Sequence, residues 1–125
     1  MYLLDSHALI WFLENDDRLS RKSKSLIESN SEVYVSIVSL WEINIKLNIG
    51  KISLSVTLQT IVQKLALLSI SILPLTFEHI NGLSKLPFHH KDPFDRILIS
   101  QSIIEDLIII SKDDNFKLYP TQVVW

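Results

Sequence analysis

Four acidic residues carry the chemistry that this sequence suggests: Asp5, Glu42, Asp95 and Asp113. Each lies where a short apolar run ends or near the start of a helical segment. In a parallel sheet all four then fall on the edge formed by the carboxyl ends of the strands, where open α/β folds place their sites. Two like charges about 4 Å apart repel by about 4 kcal/mol at an effective dielectric of about 20. Such a cluster either shares protons or holds a divalent cation. The donors are all oxygen and the chain has no Cys, which points to Mg²⁺ or Mn²⁺ rather than zinc. A cation so held activates water and neutralises an in-line phosphoryl transition state. The chemistry indicated is metal-dependent phosphodiester hydrolysis.

Each acid also has a purely structural reading. Asp5, followed by Ser6 and His7, fits a helix N-cap. Glu42 and Lys46 are spaced for an i,i+4 ion pair. Asp92-Pro93-Phe94-Asp95 is close to a capping box with Pro93 at the first helical position, and Asp92 is read as the cap. Asp113-Asp114-Asn115 is good turn chemistry. Taken singly, each acid is better explained by structure; the shared edge is what makes the joint reading competitive.

The elements that position these residues follow from pattern. Tyr2–Leu4 is a short apolar run ending at Asp5, read as a buried strand. Ala8–Leu13 is apolar throughout and predicts a buried helix. Arg21–Ser29, after Leu19 and Ser20, predicts a polar capped helix with Leu26 and Ile27 inward. Val33–Val35 reads as a second strand. Ile37–Ile49 predicts a helix stopped at Gly50, with Leu40, Ile43 and Leu47 on one face. Ser55–Leu68 carries Leu58, Ile61, Val62 and Leu65 at helical spacing. Ile70–Leu73 is a third strand closed by Pro74, and Thr76–Leu83 a short helix. Pro93–Glu105 predicts a helix with Phe94, Ile97, Leu98 and Ile104 inward. Leu107–Ile110 is the best candidate for a central parallel strand, and Val123-Val124 for an edge strand. This alternation predicts an α/β fold: a central, mostly parallel sheet flanked by helices on both faces.

The chain has 125 residues, 47% hydrophobic and 21% charged, which suits one globular domain over residues 1–125 and excludes a disordered chain. The net charge of −2 lacks the basic footprint of a protein that coats nucleic acid, although a bound metal can supply positive charge locally. The absence of Cys excludes disulfide scaffolds, thiolate metal sites and cysteine nucleophiles. The greasiest stretch, Leu65–Leu75, is about half of what a membrane span needs and contains Pro74, and Asp5 comes too early for a signal peptide. The expected location is the cytoplasm, with no membrane partner.

The pattern as a whole resembles the PIN-domain ribonucleases of the VapC type, the toxin half of bacterial or archaeal toxin–antitoxin pairs. The resemblance spans essentially the whole chain. It rests on Leu4-Asp5-Ser6-His7-Ala8-Leu9, Val35-Ser36, Ser39-Leu40-Trp41-Glu42-Ile43, Gly50-Lys51, His89-His90-Lys91-Asp92-Pro93-Phe94-Asp95-Arg96, Ile110-Ser111-Lys112-Asp113 and the final Val124-Trp125. It implies a PIN-like fold in which Asp5, Glu42, Asp95 and Asp113 form a catalytic, Mg²⁺-binding quartet (Mn²⁺ being the alternative ion). It also implies an RNA substrate such as tRNA or rRNA, a cognate antitoxin protein and a homodimer. Ser6 and Ser111 stand where the family often has Thr, and Lys112 where Arg is frequent. The hydroxyls and the charge are kept, though not the bidentate fork of Arg.

The remaining candidates are less specific. His7, His89 and His90 lack metal-ligand spacing, and His89 and His90 are expected on an exposed loop near RNA or without a catalytic role. Arg96 is expected to orient a carboxylate, meet a phosphate or form a surface ion pair. Arg18, Arg21, Lys22 and Lys24 read by default as a solvated helix face, with substrate guidance or contact with an acidic partner as the sharper alternative, and Trp11 and Trp41 read as core. Gly50-Lys51 lacks the rest of a phosphate loop. The competing function is a catalytically silent PIN-like module that engages a partner protein or RNA without cleavage; the intact quartet argues against it. A phosphoacceptor receiver needs an Asp after a middle strand, and none occurs between Asp17 and Asp92. A haloacid-dehalogenase phosphatase needs a second Asp where this chain has His7.

Overall fold

The computed structural model describes residues 1–29 and 32–125. Five short strands form one parallel sheet: β1 (Tyr2–Leu4), β2 (Val33–Ser36), β3 (Ile70–Leu73), β4 (Ile108–Ile110) and β5 (Val123–Val124), in the order β3-β2-β1-β4-β5. β1 is central, with Leu4 opposite Val35 on one side and Ile110 on the other. The chain moves outward one way through β2 and β3, then returns to the other side of β1 for β4 and β5. The reversal lies between β1 and β4, and the crevice outside their carboxyl ends is the usual place for a site in this architecture.

Side chains alternate across a strand, so each strand supplies both faces. Leu4, Val33, Val35 and Ile110 pack with Ala8 and Leu9 of α1 (Ser6–Leu13), Ile27 of α2 (Arg21–Ser29), Leu40 and Ile43 of α3 (Ile37–Asn48), and Ile61 and Leu65 of α4 (Leu58–Leu67). Leu3 and Ile109 face the other way, onto Leu98 and Ile99 of α6 (Pro93–Ile104) and onto Phe116 and Tyr119. The sheet is therefore covered on both faces, as the unbroken apolar run of β4 requires.

Helix ends are fixed by local chemistry. Asp5, Ser36, Thr57, Thr76 and Asp92 cap α1, α3, α4, α5 (Phe77–Gly82) and α6, each side chain accepting a backbone N–H of the first turn. With only two glycines in the chain, left-handed residues after the helices are mostly non-glycine: Asn15, Ser69 and Asp106 all have φ between +50° and +60°. Gly50, at φ +74°, is the glycine case. The N–H groups of Asp16, Lys51 and Leu107 then reach back to the carbonyls of Trp11, Lys46 and Ser102, which closes α1, α3 and α6 with the same six-to-one turn.

Several expectations need correction. The first helix begins at Ser6, and only its first half is deeply buried; Ile10–Leu13 are half-buried. The fourth helix spans Leu58–Leu67 rather than Ser55–Leu68, because Thr57 supplies the cap. Val62 and Ile104 are exposed, since the apolar stripe of each helix is narrower than its count of apolar residues suggests. Trp41, expected in the core, is 60% exposed. It sits on the outer side of α3, where its ring meets Phe94 edge-on at 5.3 Å and bridges α3 to α6.

α5 and α6 pack closely at Gly82, which is needed for space rather than for its backbone freedom. A Cβ there would stand 2.5 Å from Ser100 Oγ and 3.1 Å from Ile104 Cδ1. Ser100 cannot turn away without losing its 2.6 Å hydrogen bond to the His79 carbonyl. Gly82→Ala should therefore destabilise the protein by about 1–2 kcal/mol despite the better helix propensity of Ala, measured by urea unfolding. Gly82→Ala combined with Ser100→Ala should cost less than the sum of the two single changes.

Candidate active site

The parallel register fixes where the acids stand. Asp5 follows β1 directly, and its N–H donates to the carbonyl of Ile110 at the end of β4 (3.2 Å). Ser111 follows β4, and its hydroxyl donates to Asp5 Oδ2, while the N–H of Asp113 donates to the Ser111 hydroxyl (3.0 Å). The other Asp5 oxygen accepts the N–H of Ala8 at 2.7 Å. Asp5 is thus a cap and a buried carboxylate at once. Burial pushes its pKa upward; the hydrogen bonds from Ser111 and Ala8 oppose that shift.

Glu42 sits one and a half turns into α3 and is buried. The Ser6 hydroxyl donates to its Oε1 at 2.7 Å, and Lys46 Nζ lies 3.0 Å from its Oε2. The anticipated i,i+4 pair therefore exists and coexists with a contact to the residue after Asp5. Asp113 is half-buried and accepts the N–H of Asn115 at 2.9 Å. Asp92 is exposed and caps α6 through the N–H groups of Phe94 and Asp95.

Asp95 differs from the other three acids. Its side chain is 17% exposed, and its one side-chain contact among the described residues is His90 Nε2 at 3.4 Å. Burial pushes its pKa up to about 8, reinforced by the charges of Asp92, Asp113, Glu42 and Asp5. Asp5, Glu42 and Asp113 thus all lie within electrostatic reach of Asp95, and Asp113 also raises the pKa of Asp5. Among the described residues no three His, Asp or Glu side chains converge tightly enough to enclose an ion, so the acids form an open rim rather than a closed cage. The donor set is nevertheless that of a hard divalent cation: carboxylate oxygens only, with an excess of negative charge that Lys46 offsets only at Glu42.

A cleft of about 250 Å³ borders this rim, lined by Asp5, His7, Trp11, Lys112 and Asp113. The 450 Å³ cavity between α5 and α6 is larger but lies away from the acids, lined by Glu78, Gly82, Ser100 and Ile104 among others.

A family model described as PIN domain matches residues 2–121. The chain belongs to the PIN-domain family. Two solved structures share this PIN fold. VapBC2 from Rickettsia felis, bound to a DNA fragment from their promoter, superposes with a TM-score of 0.71 at 15% identity, over 98% of this chain and 96% of the other. FitAcB from Neisseria gonorrhoeae superposes with a TM-score of 0.72 at 14% identity, over 100% and 97%. At these identities the likeness is one of fold. No curated protein sequence matches the chain.

Two residues of this PIN domain stand elsewhere than their sequence context suggests. Arg96 neither pairs with a carboxylate nor meets solvent. It is buried, donates to the carbonyls of Pro87 (2.8 Å), Leu86 (3.4 Å) and Leu83 (3.5 Å) and to the Tyr119 hydroxyl (3.2 Å), and lies 4.1 Å from the Phe88 ring centre. The available signal was helical spacing: Arg96 shares a face with Ile99 and Ser100, both buried. His90 is half-buried against Asp95 and Tyr119 rather than on an exposed loop, whereas His89 is exposed. Nothing in the local sequence brings Tyr119 to it.

The raised pKa of Asp95 sets a pH dependence of stability. In the folded, metal-free chain Asp95 keeps a proton up to about 8, whereas unfolding restores its ordinary value near 4. Between these values the folded state binds more protons, so stability is fully present below the unfolded pKa and is lost as pH rises through the folded one. In chelator, the melting temperature of the wild type should fall from about pH 5 to about pH 8 relative to that of Asp95→Asn. Parallel pH profiles would show Asp95 to be ionised throughout.

Proposed function

We propose that this PIN domain is a VapC-type toxin acting as a divalent-metal-dependent endoribonuclease, with Asp5, Glu42, Asp95 and Asp113 as its metal-binding and catalytic residues. The observation that carries the reading is Asp95: a half-buried carboxylate that feels the charges of Asp92, Asp113, Glu42 and Asp5, beside the topological switch point of a PIN fold. Such an arrangement costs stability unless a cation uses it. Mg²⁺ is the ion the oxygen donors suit, with Mn²⁺ as the close substitute. When bound, it supplies an activated water and neutralises charge on the phosphoryl group.

The chain's own residues prepare the rim. Ser111 and the Ala8 N–H hold Asp5 in one rotamer. Ser6 and Lys46 do the same for Glu42, with Lys46 offsetting its charge. Asp5 and Asp95 take the role of principal ligands, and Glu42 and Asp113 complete the rim and orient the attacking water. Ser6 and Ser111 each donate a hydroxyl to one of these acids, Glu42 and Asp5.

The substrate proposed is structured RNA, tRNA or rRNA, and the setting a single cytoplasmic domain spanning residues 1–125. No helix among the described residues is long and apolar enough to cross a membrane. The structural relatives are complexes named VapBC2 and FitAcB, which supports a cognate antitoxin as partner. Exposed apolar side chains on the elements that carry Glu42 and Asp95, Trp41 and Ile37 on α3 and Phe88 in the loop before α6, are suited to an antitoxin segment or to a second copy of the chain in a homodimer.

The deciding experiment is cleavage of total tRNA and rRNA by the purified chain. Cutting should require Mg²⁺ or Mn²⁺, cease in EDTA, and fall by at least about a hundredfold in Asp95→Asn or Asp5→Asn. Cutting that survives either substitution would overturn the assignment. A chain that cuts nothing, and binds no Mn²⁺ either, would be the silent binding module. Co-expression with the neighbouring reading frame should yield a complex that co-purifies and suppresses the cutting; a monodisperse monomer indifferent to that product would overturn the toxin–antitoxin reading.

A further inference from the structure

Tyr119 comes from the far end of the chain, just before β5, and its buried hydroxyl sits at a junction of four polar groups. Arg96 Nη1 donates to it at 3.2 Å, and so does the backbone N–H of His90 at 3.2 Å. These two donors fill the lone pairs of a hydroxyl oxygen, so its own proton must go to an acceptor. Two acceptors are in reach: His90 Nδ1 at 2.8 Å and the His90 carbonyl at 3.4 Å. The shorter contact is the hydrogen bond. A ring nitrogen that accepts carries no proton, so the proton of the His90 ring resides on Nε2. That nitrogen lies 3.4 Å from Asp95 Oδ2.

We propose that His90 is a positioning residue for the Asp95 carboxylate, its ring held as an Nε2–H donor by the Arg96–Tyr119 pair. The inference rests on the reading of Asp95 as a metal ligand. Direction runs one way along the chain of contacts: guanidinium to phenol, phenol to imidazole, imidazole to carboxylate. Arg96 also fixes the loop that carries His90, through the carbonyls of Leu83, Leu86 and Pro87 and by stacking on Phe88. The His89 ring also packs edge-on against Tyr119, at 5.0 Å. The imidazole thus has little room to turn.

The contact to Asp95 is long, as contacts to catalytic groups often are before ligands bind. A fully ionised carboxylate accepts a shorter, charge-assisted bond. Groups that hydrogen-bond a ligating carboxylate typically affect metal affinity by 10–100-fold. Sequence order hides the device completely: His90, Asp95 and Arg96 lie within one short segment, but the residue that sets the tautomer is Tyr119.

Two measurements on the full chain test this. Long-range ¹H–¹⁵N correlation spectra should show His90 with an unprotonated Nδ1 and a protonated Nε2, and Tyr119→Phe should turn this into a tautomer mixture. Mn²⁺ titration followed by electron paramagnetic resonance should show His90→Ala weakened by about tenfold or more. His90→Gln, whose amide keeps a donor at the same reach, should recover most of that loss. Circular dichroism identifies any variant that fails to fold, in which case Tyr119→Phe and His90→Gln decide. A His90 ring protonated on Nδ1 would overturn the proposal. So would wild-type Mn²⁺ affinity in His90→Ala while Asp95→Asn binds weakly. Should Asp95→Asn itself bind Mn²⁺ normally, the metal reading falls, and the positioning role falls with it.

Discussion

Negative charge gathered at the carboxyl edge of the sheet is the constraint to which the surrounding structure responds. Five acids reach this edge because a parallel register delivers chain segments from one direction. Each is then relieved in a different way. Asp5 takes a hydroxyl and a backbone N–H, Glu42 a hydroxyl and an ammonium, and Asp92 and Asp113 the amides of the turns they begin. Asp95 receives only a long contact from His90. Relief that is complete at four positions and slight at the fifth leaves one place where an external positive charge gains most.

The cation nearest in sequence to that place is directed elsewhere. Arg96 follows Asp95, yet on a helix consecutive residues project about 100° apart, and Arg96 turns inward while Asp95 turns to the rim. A buried guanidinium requires its donors to be satisfied, and here carbonyls from residues 83–87 and a phenol satisfy them. Charge that would neutralise the rim is used instead to hold a loop. The consequence is mechanical: the loop before α6, α6 itself and the segment before β5 are tied at one buried group, and His90 is carried at that junction. Rigid elements beneath a polar site are what fine positioning demands.

The sheet and its helices were legible because each follows from a local rule. Short apolar runs gave the strands, Gly50 and Pro93 marked a helix end and a helix start, and Asp5 and Asp92 marked caps. The four acids were legible through those boundaries, since an acid at the end of a parallel strand and one at the start of the following helix must share an edge. What remained hidden depends on contacts between segments distant in sequence. Trp41 looks like core by composition, but its outward face on α3 is decided by where α6 lies. Arg96 looks solvent-bound by type; its spacing from Ile99 and Ser100 marks an inward face, but the carbonyls that satisfy its guanidinium come from a loop whose position no local rule gives. Ser69 and Asp106 take left-handed turns that glycine usually takes, and no local preference announced them.

Capping and ligation appear in the sequence as rival explanations for the same acids, and the geometry shows where the rivalry is real. A cap uses one oxygen of a carboxylate to accept a backbone N–H, which leaves the second oxygen for other work and fixes its direction. Asp5 does this: Oδ1 caps α1 while Oδ2 faces Ser111 at the rim. Asp92 instead serves the first turn of α6 through Oδ1 from an exposed position, with no second partner among the described residues. Asp95, three residues on, is released from capping because Asp92 already serves that turn, and it is more deeply buried. The division of labour between Asp92 and Asp95 is therefore a consequence of helix geometry: the residue outside the helix satisfies the amides, so the residue one turn inside can face the other acids.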